Sequence, residues 1–250
     1  MPRQPRLILP NVAAHIIQRG NNRAPCFKVD GDYLVYLANL RELSARLECA
    51  VHAYCLMTNH VHLLLTPPSA AACTALMRDL GQRYVQYFNR RHERTGTLWE
   101  GRFRSCVAES ARYVLACYRY IERNPVRAGM VEHPAAYLWS SYSANTGRRT
   151  DPLLSPHVEF LALGSDSSAR HAAYTNLHEE SLDAPLLEAI RLATNGGYPL
   201  GSESFKSELV ASTGRKIERC RPGPRPNPAV DGDKQRSGSD PDLFSADGAS

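Results

Sequence analysis

Val51-His52-Ala53-Tyr54-Cys55-Leu56-Met57-Thr58-Asn59-His60-Val61-His62-Leu63-Leu64-Leu65-Thr66 reads as two strands joined by a turn. Both runs are rich in aliphatic and β-branched residues, and Pro67-Pro68 closes the second. The Thr58-Asn59 link is so short that the two strands pair as an antiparallel hairpin. Side chains two apart on a strand point the same way, so His60 and His62 project from one face. Paired imidazoles are ready metal ligands. The same spacing also suits two packed or surface histidines, so the rest of the chain must supply a third ligand and a nucleophile to favour the metal.

Upstream, Ala14-His15-Ile16-Ile17-Gln18-Arg19-Gly20 predicts a strand that ends in the turn Gly20-Asn21-Asn22. Leu34, Leu37, Leu40, Leu43 and Leu47 then predict a helix, capped by Asp30 or Asp32 and ending near Glu48-Cys49. Downstream, Ser69 or Ala70 opens a long helix through Leu76, Leu80, Tyr84, Tyr87 and Phe88, and residues 98–107 return to strand character. Ser110 caps a third helix over 111–123, which Asn124-Pro125 closes because a residue before proline avoids helical geometry. The order strand, helix, strand, strand, helix, strand, helix predicts an α+β domain. Its pattern is a ferredoxin-like or RRM-like antiparallel sheet with helices on one face.

Beyond Gly129 the aromatics of Tyr137-Leu138-Trp139-Ser140-Ser141-Tyr142 are expected to pack back onto this domain. Broken helical patterns around Asn195-Gly196-Gly197 predict a small helical appendage, and the Pro-, Gly- and Ser-rich end cannot bury a core. The expected organisation is a domain over 1–145, a helical accessory segment over 146–218 and a disordered tail over 219–250.

The net charge of +5 is unevenly spread: residues 1–130 carry 18 Lys and Arg against 9 Asp and Glu, the rest 12 against 16. All but one of those 18 are arginine, whose planar fork suits phosphate, which points to nucleic acid. A solvated arginine-rich surface would have the same composition. No run nears the ~18 apolar residues of a membrane span, and the amino-terminal stretch is too short and broken for a signal peptide. The seven cysteines (26, 49, 55, 73, 106, 117, 220) contain no Cys-x-x-Cys pair and read as reduced thiols of a cytoplasmic protein.

The third helix carries the complement to the histidines. Tyr120 and Asn124 are four residues apart and share one face, whereas Val114, Leu115, Tyr118 and Ile121 lie to one side as core candidates. Packed over the histidine strand, these residues form a coherent site. The imidazoles of His60 and His62 and the Asn124 amide oxygen hold a divalent ion, and Tyr120 attacks what the ion polarises. Two imidazoles and an amide oxygen are harder than a three-histidine zinc site, which favours Mg²⁺ or Mn²⁺. Tyr118 is the competing nucleophile, but its face does not match that of Asn124.

Asn59-His60-Val61-His62-Leu63-Leu64 resembles the histidine–hydrophobic–histidine signature of the single-tyrosine HUH transposases. Trp99-Glu100-Gly101-Arg102-Phe103 is similar to their Trp-x-x-Arg-Phe stretch. Tyr120-Ile121-Glu122-Arg123-Asn124-Pro125-Val126-Arg127-Ala128-Gly129 is similar to the Tyr-Ile-x-x-Asn-Pro-Val-x-x-Gly segment of their REP-associated branch, and Trp139-Ser140-Ser141-Tyr142 fits the next segment of that branch. Four motifs in the right order span residues 15–142. The resemblance implies a strand transferase for single-stranded DNA that recognises a REP-like hairpin and cuts beside it. A tyrosine forms a 5′-phosphotyrosine link and releases a 3′-hydroxyl. Carried over, Tyr120 is the nucleophile, His60 and His62 are metal ligands, and Asn124 is the third ligand where many relatives have Gln. Related insertion-sequence enzymes work as dimers while the REP-associated branch need not, so the resemblance leaves a monomer or a homodimer open.

Arg102, Arg104, Arg119, Arg123 and Arg127 are candidate phosphate contacts, and Arg90, Arg91 and Arg94 candidate contacts to a hairpin stem. Trp99, Phe103 and Tyr142 suit either base stacking or the core. His15 and His52 read better as structural residues than as ligands. Two further classes stay open: a non-catalytic hairpin-binding protein, and a metal-dependent phosphodiester hydrolase that uses the His pair without Tyr120.

Overall fold

A computed structural model describes residues 6–109 and 111–214. Ser110, Cys220 and the carboxy-terminal tail, with its expected disorder, lie outside the described residues. The four strands are β1 (Ala14–Arg19), β2 (Ala50–Met57), β3 (His60–Thr66) and β4 (Arg104–Val107). They form one antiparallel sheet in the order β2-β3-β1-β4, so the histidine strand is central.

The register sorts every side chain to a face. Ile17 and Cys55 stand opposite His62, and Cys106 stands opposite His15. One face therefore carries His15, His60 and His62, and the other carries Ile16, Val61, Leu63 and Leu65. Helices α1 (Asp30–Arg46) and α2 (Ala70–Arg91) cover the second face, with Tyr36, Leu40, Leu43, Leu76, Leu80 and Tyr84 buried against it. Ser69 caps α2 by accepting from the Ala72 N–H at 3.1 Å. Asp32 reaches back to accept from Lys28 and Val29 N–H at 2.7 and 3.2 Å. In α1 the buried stripe is Tyr33, Tyr36, Leu40 and Leu43, and Leu34 is exposed. Of the leucines whose spacing predicts this helix, Leu40 and Leu43 are buried and Leu37 packs against the core, whereas Leu34 lies off the buried side. Alternating steps of three and four hold the tyrosine-led stripe on it.

The α+β antiparallel fold is as expected, but the expectation of helices on one face needs correction. Helix α3 (Ala111–Glu122) lies on the histidine face, where Val114, Cys117, Tyr118 and Ile121 pack on Ala53, Cys55, Leu64 and Cys106. The reason is the alternation itself: β3 and β1 present apolar side chains on both faces, and each face has to be covered. Pro125 cannot donate to the preceding turn, so α3 stops, and the single turn α4 (Asn124–Arg127) comes next.

Residues 139–141 lie along β2 as expected. The Leu56 N–H donates to the Trp139 carbonyl at 2.9 Å, and the Ser141 N–H to the Tyr54 carbonyl at 3.0 Å. After the single turn α5 (Tyr142–Asn145) come α6 (Val158–Leu161), α7 (Ser167–Glu179), α8 (Ala184–Gly196) and α9 (Glu203–Thr213). Helix α8 packs on β4 and β1, with Ile190 and Ala193 buried there. Among the described residues no helix is long and apolar enough to cross a membrane, and the six cysteines are buried free thiols.

Candidate active site

The hairpin sets His60 and His62 beside one another, with ring centroids 4.9 Å apart. Each ring has one nitrogen occupied by a neighbour. His60 Nδ1 is 2.6 Å from Asn59 Oδ1, and His62 Nδ1 is 2.9 Å from His15 Nε2. The remaining His62 nitrogen, Nε2, is 2.5 Å from the Asn124 amide nitrogen. His15 lies one strand over, and its other nitrogen is 2.9 Å from the Thr194 hydroxyl of α8.

Burial makes these imidazoles poor bases toward protons. It pulls His60 down to about 4 and His15 to about 3, with Arg19 adding to the first and Arg127 to the second. His62 is held well below the ordinary histidine value by burial, helped by His15, His60 and the arginines. All three rings are neutral at pH 7, the form that offers a nitrogen lone pair to a cation. The chain of partners then has a direction. The Thr194 hydroxyl donates to the Ile190 carbonyl at 2.8 Å, so it accepts from the His15 Nδ1–H. His15 Nε2 accepts in turn from the His62 Nδ1–H, and the His62 lone pair falls on Nε2.

Tyr120 comes to the same place from α3. Its ring centroid is 5.8 Å from that of His62 and 5.6 Å from that of His15, both edge-on. The Arg127 guanidinium stacks on the Tyr120 ring, its carbon 4.1 Å from the centroid, and donates to the Tyr120 carbonyl at 2.6 Å. Tyr118 points elsewhere: it is fully buried against Phe160 and Tyr174, and its hydroxyl accepts from the His157 N–H at 3.3 Å. The two tyrosines are thus separated as the helical face predicts.

The remaining candidate arginines divide into four sets. Arg119 and Arg123 donate to the Glu180 and His178 carbonyls at the end of α7. Arg104 donates to Asn195 Oδ1 at 2.9 Å, and Arg102 is exposed beside it in sequence. Arg90 and Arg91 line an open groove of about 760 Å³ with Arg83, Tyr87, Gln86 and Asn39, on the face of α1 and α2. Arg94 is partly buried in the loop after α2, where it donates to the Thr97 carbonyl at 3.3 Å. Trp99, Phe103 and Tyr142 are all buried and belong to the core. His52 is structural, with Nδ1 2.6 Å from the Ser155 carbonyl and Nε2 2.8 Å from the Thr66 hydroxyl.

Asn59 and Thr194 were not legible as site residues. Asn59 looks like a turn residue, and nothing local marks a threonine 179 positions from His15. Among the described residues no group of three or more His, Cys, Asp or Glu side chains is arranged to hold a metal ion. The donor set gathered here is two imidazoles and an amide.

The family described as "Transposase IS200 like" matches residues 9–124. Two solved structures are also similar. One is a REP-associated tyrosine transposase bound to a REP hairpin, 15% identical, covering 63% of this chain and 92% of that one with a TM-score of 0.49. The other is a protein of Deinococcus radiodurans R1 assigned as a transposase, 20% identical, covering 44% of this chain and 89% of that one with a TM-score of 0.34. No curated protein matches the chain at a significant level. The matched residues begin ahead of β1 and end at Asn124, so the likeness to that family takes in the whole sheet, the histidine pair and the tyrosine helix.

Proposed function

We propose that the chain is a metal-dependent endonuclease and strand transferase for single-stranded DNA, with Tyr120 as nucleophile and Mg²⁺ or Mn²⁺ held by His60, His62 and Asn124. The observation that carries the reading is the convergence of Tyr120, His62 and Asn124 on one face of the sheet. The residues fit such an ion. Asn59 and His15 occupy the Nδ1 atoms, leaving Nε2 of both rings to a cation, and a metal-bound histidine is commonly held through its other nitrogen in this way. Turning the Asn124 amide over presents its oxygen in place of its nitrogen. When bound, the ion draws negative charge from the scissile phosphate.

The chain's own residues do the rest. The Tyr120 oxygen forms a bond to phosphorus as the bond from phosphorus to the 3′-oxygen breaks. The tyrosine proton passes to solvent, and the 3′-oxygen leaves as a hydroxyl. A phenol, with an ordinary pKa near ~10, is almost all neutral at pH 7, so negative charge builds on its oxygen during attack. Arg127, stacked on the ring, is the cation placed to stabilise that charge. The 5′-phosphotyrosine link conserves the phosphodiester bond energy, so a second 3′-hydroxyl can reverse the step and join strands without ATP.

The substrate read here is a REP-like hairpin with a single-stranded flank, supported by the likeness of residues 120–129 to the REP-associated branch. The groove lined by Arg83, Arg90, Arg91 and Tyr87 supplies cations and an aromatic ring for its phosphate backbone and bases. The test is to incubate the protein with Mn²⁺ and a hairpin oligonucleotide carrying single-stranded flanks, then resolve covalent adducts on a denaturing gel. Wild type is expected to form an adduct that Tyr120→Phe abolishes. Cleavage surviving in Tyr120→Phe without an adduct would establish hydrolysis instead. Tight binding with no cleavage by wild type would establish a binding protein.

A further inference from the structure

Thr194 lies on α8, outside the matched transposase residues, yet it meets the histidine site. Its hydroxyl is fully buried, as is His15, and His62 is 2% exposed, so no bulk water reaches the line between them. The three side chains are linked in order: Thr194 Oγ1 to His15 Nδ1 at 2.9 Å, then His15 Nε2 to His62 Nδ1 at 2.9 Å. The line is anchored at its far end, because Thr194 donates its one hydrogen to the Ile190 carbonyl at 2.8 Å. A hydroxyl that has given its hydrogen away can only accept from an N–H, although its second lone pair is free to meet Cys106 Sγ at 3.2 Å. That single donation sets the direction of every hydrogen bond back to His62.

We propose that Thr194 is a positioning residue for His62. Acting through His15, it keeps the His62 hydrogen on Nδ1 and the lone pair on Nε2, aimed at the cation site. Helix α8 thereby makes the carboxy-terminal part of the chain a component of the active site, although it contributes no ligand. The proposal rests on the reading that His60, His62 and Asn124 hold a divalent ion. Replacing Thr194 by valine keeps the volume and removes the acceptor. His15 Nδ1–H then has no partner, and His15 gains by turning its hydrogen toward His62, which pushes the His62 hydrogen to Nε2. Losing a group behind a metal ligand commonly costs about 10- to 100-fold in affinity.

The test uses the full chain and two readouts. Mn²⁺ affinity is measured by electron paramagnetic resonance, and long-range proton–nitrogen NMR of the metal-free protein reports which His62 nitrogen carries hydrogen. Thr194→Val should weaken Mn²⁺ binding by about tenfold or more and move the His62 hydrogen from Nδ1 to Nε2. Thr194→Ser, which restores the hydroxyl, should match wild type in both. If Thr194→Val does not fold, as judged by thermal melting, Thr194→Ala carries the same expectation. Thr194→Val with wild-type Mn²⁺ affinity and an unmoved hydrogen would overturn the proposal. So would Thr194→Ser failing as badly as Thr194→Val, because that is the mark of a packing role. If wild type binds no Mn²⁺, or His62→Ala binds it equally well, the metal reading falls, and with it the purpose assigned to the relay.

Discussion

The Arg127 guanidinium carbon lies 4.1 Å from the centre of the Tyr120 ring, held there by a 2.6 Å hydrogen bond to the Tyr120 carbonyl. Burial lowers the Arg127 pKa, but an arginine remains a cation at any pH of interest. In the proposed mechanism, charge developing on the tyrosine oxygen therefore meets a fixed positive partner that needs no reorganisation. Arg127→Met keeps the length of the side chain and removes the charge. It should slow adduct formation by roughly a hundredfold while leaving hairpin affinity close to wild type. Single-turnover adduct formation at saturating protein measures the first, and a binding titration the second. Equal rates for the two proteins would remove Arg127 from the chemistry.

Arg90 and Arg91 are exposed along the groove between α1 and α2. If both neutralise phosphates, Arg90→Gln with Arg91→Gln should flatten the plot of log affinity against log salt. The expected change in slope is about 1.4 for a single strand and about 1.8 for a duplex stem. Adduct formation with DNA at saturation should stay as it was, since neither residue is on the histidine face. Hairpin binding measured between low and moderate salt decides it, and an unchanged slope would place the DNA elsewhere.

Glu122, two residues from Tyr120, is fully buried and gathers donors from three elements. Its Oε1 accepts from the Ser141 hydroxyl at 2.6 Å and the Asn145 amide at 2.7 Å, and its Oε2 from the Tyr174 hydroxyl at 2.6 Å. His178 Nε2 stands 3.2 Å from Oε2. Glu122→Ala strands these donors in a dry interior and should cost about 3 kcal/mol or more of stability. Glu122→Gln keeps one acceptor and should cost less. Urea unfolding followed by circular dichroism gives both values, and a cost under about 1 kcal/mol for the alanine variant would mean that solvent reaches the cluster.

Asp32 ties the start of α1 to the end of α2. Burial pushes its carboxyl up, but the N–H groups of Lys28 and Val29 and the His92 ring, at 3.0 Å from both oxygens, outweigh burial and leave it below the usual carboxylate value. The folded protein thus takes up this proton less readily than the unfolded chain. Its stabilisation is complete above the unfolded pKa of about 4 and disappears as pH falls through the lower folded value. Asp32→Asn should therefore unfold more easily than wild type at neutral pH, with the difference closing in acid. Thermal melts from pH 3 to pH 7 check this, and a constant difference across that range would refute it.

Local periodicity is what made much of this protein legible. A repeat of two puts His60 and His62 on one face of β3, and a separation of four puts Tyr120, near the end of α3, and Asn124, at the start of α4, on one side, without reference to anything distant. The same logic gave the element order, the Ser69 cap and the stop at Pro125. The leucine spacing located α1, and only packing against the sheet added Tyr33 and Tyr36 to its buried side.

By itself, then, the amino-acid order determined the strands, the helices and which functional groups share a face within each one. Tertiary structure alone decided that α1 and α2 cover the face opposite α3. It also turned Arg119 and Arg123 to the carbonyls of α7, and brought Thr194 to His15 across 179 positions. The physical reason is that a side chain's direction from its own backbone is a local property. Its partner is whatever the closed core carries to within about 3 Å, and no short window of sequence contains that information.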